Sequence, residues 1–363
     1  MKVYKNGNYI VKFDEVTGTK IYQTFKSFEP YNPDFPDSLD VKITNKCQTG
    51  CPFCFENSTR DGKHADLDKL WNILNRLPNK PIEIALGGGD ILEFLSDSTP
   101  EIQLSFTRFL QRLKSKGFSI GMTLELGRFL DNKDCCTSIL NTPDLINSLG
   151  LSISNTKLFK NNPPLHILHQ IHNYHLDYVR YLNYPPQSIV FHAIVGIITV
   201  SFLRDFIEWY NEFEKTDGNS DFLLLFPDST MRKIRRKPRI IFLGYKSWGR
   251  GKNFINPEVN KNIEDLRVFL NHKFLRRRDS KDEKWNISFD NLAIEQLGIR
   301  NQLTTDQWNS FFMGEEMSHS MYVDGVSEKF AQSSHSYPIS DWKDYNYNIL
   351  KFFNENKQPH DKS

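Results

Sequence analysis

Three of the five cysteines fall within eight residues, Cys47, Cys51 and Cys54, in the segment ITNKCQTGCPFCFENS (43–58). The C-x3-C-x2-C spacing obliges the chain to present three thiols from one loop. A structural zinc site needs four ligands and would show a second C-x2-C or H-x3-H pair downstream; none stands out. The four histidines of LHILHQIHNYH, at 166, 169, 172 and 175, step by three. That step drifts about 60° around a helix each time, so they read as polar positions on a surface helix. Three thiolates suit a four-iron cluster held at three corners, with one iron left open.

The flanks place this loop. DSLDVKIT alternates Leu39, Val41 and Ile43 with polar residues, which predicts a short strand ending just before Cys47. After a predicted helix at 67–77, Ile82, Ile84 and Leu86 predict a second strand that runs into Gly87, Gly88 and Gly89. Glycines at a strand end permit positive φ and close backbone approach to a ligand. Together, a cysteine loop with Phe53 before its last cysteine and a glycine turn one strand and one helix later resemble the radical S-adenosylmethionine (radical SAM) superfamily. The resemblance implies that Cys47, Cys51 and Cys54 hold a [4Fe–4S] cluster. It further implies that SAM chelates the open iron and is cleaved reductively to a 5′-deoxyadenosyl radical, with a flavodoxin or ferredoxin as electron donor. Gly88, Gly89 and Asp90 match the Gly-Gly-Glu-Pro-like turn that holds the SAM amino group, with Asp90 in place of Glu and Ile91 in place of Pro. Phe53 and Phe55 are expected to shield the cluster and the adenine. Substitution of Gly88 or Gly89 by Val is expected to spare the cluster and weaken SAM binding.

Further predicted strands at 118–126, 149–155, 188–197 and from 239 alternate with helices at 102–117, 134–147, 164–182 and 202–213. Six β/α repeats imply a curved parallel sheet with helices outside, similar to the partial (β/α)6 radical SAM barrel. Ligand sites of such barrels lie at the C-terminal strand ends. That rule selects Thr123, Glu125, Ser152, Ser154, His192, Gly196, Lys246 and the run Gly249-Arg250-Gly251. Glu125, Ser152, Ser154 and His192 are taken as cofactor contacts. The plainer readings are helix capping for the serines and a satisfied inward imidazole for His192. Lys246 and Arg250 either bind a substrate carboxylate or phosphate or belong to the scaffold. Cys135 and Cys136 open the helix after the third strand, where thiol pKa falls. They are candidate hydrogen-atom donors, against the plainer reading of ordinary helix residues.

The resemblance spans about residues 36–255. Residues 1–35 read as an added hairpin layer around Asn6-Gly7 or Gly18. Residues 256–363 read as an α+β extension of strand, helix and hairpin that closes the barrel and shapes the substrate pocket. It resembles SPASM or twitch extensions, yet no cysteine follows Cys136 and Ser333-Ser334 stand where a ligand would be, so no auxiliary cluster is expected.

Composition excludes some classes. With 46 basic and 44 acidic residues and 13% aromatics, the chain is near neutral and rich in core material. The longest apolar run, 189–203, carries His192 and is too short for a membrane span. The polar N-terminus does not read as a secretion signal, and five cysteines with three bunched do not make a disulfide framework. A cytoplasmic enzyme acting on a peptide or nucleotide is expected. The rival reading is a binding module for nucleic acid or protein with a structural cluster, using the basic runs 231–239 and 273–279.

Overall fold

The computed structural model describes residues 1–14, 19–25, 31–96, 99–131, 145–154, 156, 158, 188–216, 223–225, 231–233, 239–272, 286–312 and 314–358. Cys135 and Cys136, residues 134–144 of the helix expected at 134–147, the helix expected at 164–182, the four-histidine segment and the basic run 273–279 lie outside the described residues; 145–147, which are described, are not helical.

The chain opens with a three-stranded antiparallel sheet, β1 (Lys2–Asn6), β2 (Tyr9–Asp14) and β3 (Thr19–Thr24). Asn6 pairs with Tyr9 across a two-residue turn in which Gly7 takes φ 56°, the left-handed region that such turns require. The expected hairpin thus carries a third strand. Its inner face buries Tyr4, Tyr9, Val11 and Phe13.

Ten strands form the main sheet. They are β4 (Ser38–Thr44), β5 (Glu83–Gly88), β6 (Ser119–Glu125), β7 (Ser148–Ser152), β8 (Ser188–Ile194), β11 (Arg239–Leu243), β12 (Asn286–Phe289), β13 (Ser320–Asp324), β14 (Lys329–Ser333) and β15 (Ser336–Asp341). Their order is β12-β11-β8-β7-β6-β5-β4-β13-β14-β15. The six expected barrel strands lie side by side in sequence order and are parallel. Residues beyond 255 lengthen both edges: β12 adds in parallel to β11 and β13 in parallel to β4, after which β14 and β15 run antiparallel. The sheet is parallel-rich and does not close on itself. A separate ribbon, β9 (Leu223–Leu225) with β10 (Met231–Lys233), takes up the start of the basic run at 231; the sequence reading did not foresee it.

Strand β6 illustrates how the two faces arise. Ile120, Met122 and Leu124 are buried on one side, leaving Gly121, Thr123 and Glu125 on the other, as a period of two dictates. Helices supply the outer layer. In α1 (Leu67–Leu74), Asp66 caps the N-terminus through the N–H groups of Asp68 and Lys69, and Leu67, Leu70, Ile73 and Leu74 are buried. It packs beside α3 (Pro100–Ser115), whose Phe106, Phe109, Leu110 and Leu113 follow the same helical spacing. Each such side chain removed from water contributes about 1.5–3 kcal/mol. Short helices follow two of the strands directly: α2 (Leu92–Leu95) after β5 and α4 (Leu126–Asp131) after β6. Later come α5 (Val200–Thr216), α6 (Gly251–Phe254), α7 (Pro257–Leu270), α8 (Asn291–Gln296), α9 (Thr305–Phe311) and α10 (Ile349–Asn356).

A polar knot fastens the N-terminal sheet to the base of β4. The fully buried Asp37 accepts from Tyr9 Oη at 2.6 Å, Asn6 Nδ2 at 2.9 Å and Tyr4 Oη at 3.1 Å. The carbonyl of His319 in turn accepts the Asp37 backbone N–H at 2.7 Å.

Candidate active site around the cysteine loop

The chain between β4 and α1 is tied at its stem and then released to carry the cysteines. Asn45 N donates to Lys63 O at 2.8 Å, Cys47 N to Thr59 O at 2.8 Å and Thr59 N to Asn45 O at 3.1 Å. Side chains hold the arch from four directions. Lys42, on the inner face of β4, pairs with Glu56 at 2.5 Å, and Glu56 also accepts from Tyr322 Oη of β13 at 3.0 Å. Gln48 donates to Glu93 at 3.2 Å. Arg250 clasps the far side, giving Nε to Cys51 O at 3.0 Å, Nη1 to Ser58 O at 2.9 Å and its own N–H to Cys54 O at 3.0 Å. Gly249 and Gly251 flank it because a Cβ on either would enter the backbone at Phe55 or Lys246. The run 249–251 therefore braces the cysteine loop, with Nε and Nη1 of Arg250 given to its carbonyls.

All three thiols are free and half-buried. Burial pushes the Cys51 thiol up to about 11, with Cys54, Cys47 and Glu125 adding repulsion and Arg250 opposing it. Charge on Cys47 or Cys54 therefore opposes ionisation of Cys51, the condition that bound iron relieves. Among the described residues no group of three or more His, Cys, Asp or Glu is gathered as a metal-ion site. A single ion needs all its ligands within about 2.3 Å of one point, whereas a cluster takes each thiolate on a separate iron. The donor set fits the cluster.

The glycine turn sits against the stem of this loop. Gly89 N donates to Thr44 O at 2.7 Å and Asp90 N to Lys46 O at 2.9 Å. A Cβ on Gly88, at φ 118°, would strike Thr44 O, and one on Gly89 would strike Lys46 O. These two glycines serve the approach of chain to chain, which corrects the expectation that substitution there leaves the loop untouched. Gly87 is different: a Cβ there meets nothing within 4 Å. It is the glycine that faces open space, and the sequence reading passed over it.

Asp90 is buried, and both its carboxylate oxygens are bonded. Oδ1 accepts from Leu92 N at 3.0 Å, opening α2, and Oδ2 pairs with Arg128 Nε at 2.8 Å. Arg128 bridges onward from Nη2 to Glu93 at 2.9 Å. The chain Gln48–Glu93–Arg128–Asp90 links the cysteine loop, the glycine turn and α4. No sequence signal pointed to Arg128. Lys42 was legible, since the alternation that buries Leu39, Val41 and Ile43 turns residue 42 inward.

Three predicted residues share one row across the inner face: Glu125 pairs with Ser152, and Ser152 with His192. The His192 ring lies over Gly150, where a Cβ would collide with it. Burial holds this imidazole down to about 4, so it is neutral at pH 7, and among the described residues its buried Nδ1 has no hydrogen-bond partner. A satisfied structural histidine would have one. Ser152 Oγ lies 3.4 Å from Ser154 Oγ, and Ser154 is buried. Phe53 packs edge-on against Phe254 at 5.8 Å, beside the loop. Gly196, at φ 81°, meets Val259 of α7 and is a packing glycine. Lys246 lies over the Phe55 ring at 4.2 Å and donates to Ser334 Oγ at 2.6 Å. This joins the end of β11 to the β14–β15 turn across the open side of the sheet. Asp40, Asp290 and Glu316 surround it electrostatically; burial, then Asp40 and Asp290, push Glu316 up to about 7 against the pull of Lys246.

SuiB of Streptococcus suis, in a crystal structure with S-adenosylmethionine, superposes at TM-score 0.50 over 88% of this chain and 66% of SuiB, with 12% identity. The fold is the radical SAM partial barrel. SuiB bound to its precursor peptide SuiA gives TM-score 0.46 over 91% of this chain and 63% of SuiB, at 12% identity. The radical SAM enzyme anSMEcpe with bound AdoMet gives 0.43 over 83% of this chain and 76% of its own, also at 12% identity. The chain spans just under two thirds of the length of SuiB. No family model and no curated protein matches the sequence. Among the described residues no helix is long and apolar enough to cross a membrane.

Proposed function

We propose that the protein is a radical SAM enzyme whose Cys47, Cys51 and Cys54 hold one [4Fe–4S] cluster. The observation that carries this reading is the cysteine loop itself. Three free thiols sit at the C-terminal end of the first strand of a radical SAM barrel, clasped from β5 by the glycine turn and from β11 by Arg250. When bound, cluster and SAM supply the electron transfer and carbon–sulfur cleavage that produce a 5′-deoxyadenosyl radical. The chain's own share is orientation and exclusion. The network from Gln48 to Asp90 fixes the loop, Gly87 leaves room beside it, and Phe53 and Phe55 flank the thiols. The row Glu125, Ser152 and His192 faces the same interior, where these residues are proposed to contact SAM. Residues 256–363 cover the open side through Ser334 and Lys246 and shape the substrate pocket.

A peptide suits that pocket better than a nucleotide. Asp40, Asp290 and Glu316 act electrostatically on one another beside Lys246, and acidic groups gathered around a single lysine disfavour a phosphate-bearing ligand. A cytoplasmic flavodoxin or ferredoxin would deliver the electron.

Anaerobic reconstitution tests the reading. The wild type should bind about four irons per chain, and dithionite with SAM should release 5′-deoxyadenosine; a Cys47/Cys51/Cys54 triple alanine variant should do neither. A fully loaded brown protein that never cleaves SAM would favour a binding module. Zinc in place of iron would exclude the cluster altogether.

A further inference from the structure

The cysteine loop turns one side to solvent, where Gln48, Gly50 and Pro52 are exposed, and residues 246–255 run along it. Gly249, at φ 54°, comes so close that a Cβ would strike Phe55 O at 2.4 Å and Cys54 O at 2.9 Å. A Cβ on Gly251 would lie 3.2 Å from Phe53 O, and the Phe254 ring of α6 meets that of Phe53 at 5.8 Å. Between and beyond these contacts, large apolar side chains stand in water: Trp248 is 37% exposed and Ile255 47%. Trp beside Arg is the composition that protein–protein interfaces favour.

Charge selects the kind of partner. The stretch KSWGRGKNFI (246–255) carries three cations and no acid, residues 47–55 carry no charge, and the whole chain is balanced at 46 basic to 44 acidic. Lys246 turns to Ser334, which leaves Arg250 and Lys252 for this face. Arg250 gives its N–H groups to carbonyls, so its charge is not cancelled. Lys252 is exposed, with no carboxylate partner among the described residues. The acids that follow the two segments are Glu56, already paired with Lys42, and Glu258, in the first turn of α7. An acidic partner complements such a face.

We propose that Trp248, Lys252 and Ile255, with Pro52, form the docking face for a small acidic electron-carrier protein. The inference rests on reading the cysteine loop as a cluster site. Electron transfer between proteins falls steeply with distance, so the carrier has to seat where little protein covers the thiols. Pro52 lies between Cys51 and Cys54 and is exposed, so a carrier resting there is separated from the thiols by little more than the loop. The barrel interior, on the other side, stays free for the reactants. Lys252 then steers the approach, and Trp248 supplies the apolar contact that holds the encounter.

Stopped-flow reduction of the reconstituted full chain, anaerobic and followed by bleaching of the cluster absorbance, tests this with two reductants. One is a reduced flavodoxin of acidic surface; the other is reduced methyl viologen, a small cation that needs no docking face. Lys252→Glu and Trp248→Ala alter exposed side chains, so iron content should stay at the wild-type level. Flavodoxin should reduce each variant about tenfold more slowly than the wild type at low salt, while viologen reduces all three proteins at one rate. Added salt should slow the wild type with flavodoxin and narrow its lead over Lys252→Glu. Variants that flavodoxin reduces at the wild-type rate overturn the proposal. Variants slowed equally with both reductants overturn it too, since the residues then act on the cluster and not on docking. A wild type that viologen reduces and flavodoxin does not overturns the choice of partner. A wild type with no reducible cluster removes the cluster reading itself, a failure distinct from the others.

Discussion

Arg128 neutralises two carboxylates, Asp90 and Glu93, whose side chains are each 2% exposed. Removing one partner of a buried ion pair strands charge in a poor solvent and costs about 3–5 kcal/mol. Arg128→Ala should therefore lower stability by about that much in urea titration. It should also shed iron, because Gln48 loses its fixed anchor. Asp90→Asn should be milder, since its amide oxygen can still cap α2. Glu316 supplies a pH test. Its folded pKa of about 7 lies above the ordinary carboxyl value, so between about pH 4.5 and 7 the folded state holds a proton that the unfolded state has lost. Stability from this group then falls as pH rises through that window. Glu316→Gln should stabilise the protein at pH 8 by about 1–2 kcal/mol, allowing for partial exposure, and do little at pH 4. Equal effects at both pH values would contradict the assignment.

At the level of elements, the glycine turn separates roles that the sequence could not. Gly88→Val should lower iron content, because the new side chain strikes the stem of the cysteine loop at Thr44. Gly87→Ala should keep iron at the wild-type level and weaken only SAM, by filling open space; iron and SAM titrations on both variants decide it. The strands themselves were legible, because Ile82, Ile84 and Leu86 or Leu39, Val41 and Ile43 write a period of two that only a strand satisfies. The cysteine loop was legible from spacing alone. Which glycine faces chain and which faces cavity was not, since that depends on Thr44 and Lys46 lying alongside. For the same reason the sequence left Arg250 open between substrate ligand and scaffold: its acceptor, Cys51 O, is 199 residues away in sequence. Nothing local encodes such a partner.

At the level of the molecule, residues beyond 255 provide β12 to β15, four of the ten strands of the main sheet. They also supply Tyr322 to the cysteine loop and Ser334 to Lys246. A chain stopped at residue 255 leaves the parallel edges of β4 and β11 bare, and unpaired edges recruit other chains. It should be insoluble or melt without a cooperative transition. A truncated protein that melts cooperatively and still binds about four irons would show the extension to be an accessory.

The clasp of Arg250 on the cysteine loop also sets a clock. The thiols leave the ribosome long before the residue that shapes their backbone, 199 positions later. At about 5–20 residues per second, that interval is on the order of 10–40 s. Throughout it the thiols ride on a chain that has not yet acquired the brace from β11, exposed to oxidants and stray metals. On the proposed cluster reading, uptake of iron should wait until the later barrel strands have been made, and a nascent chain stalled before residue 250 should remain colourless in the presence of the same iron supply.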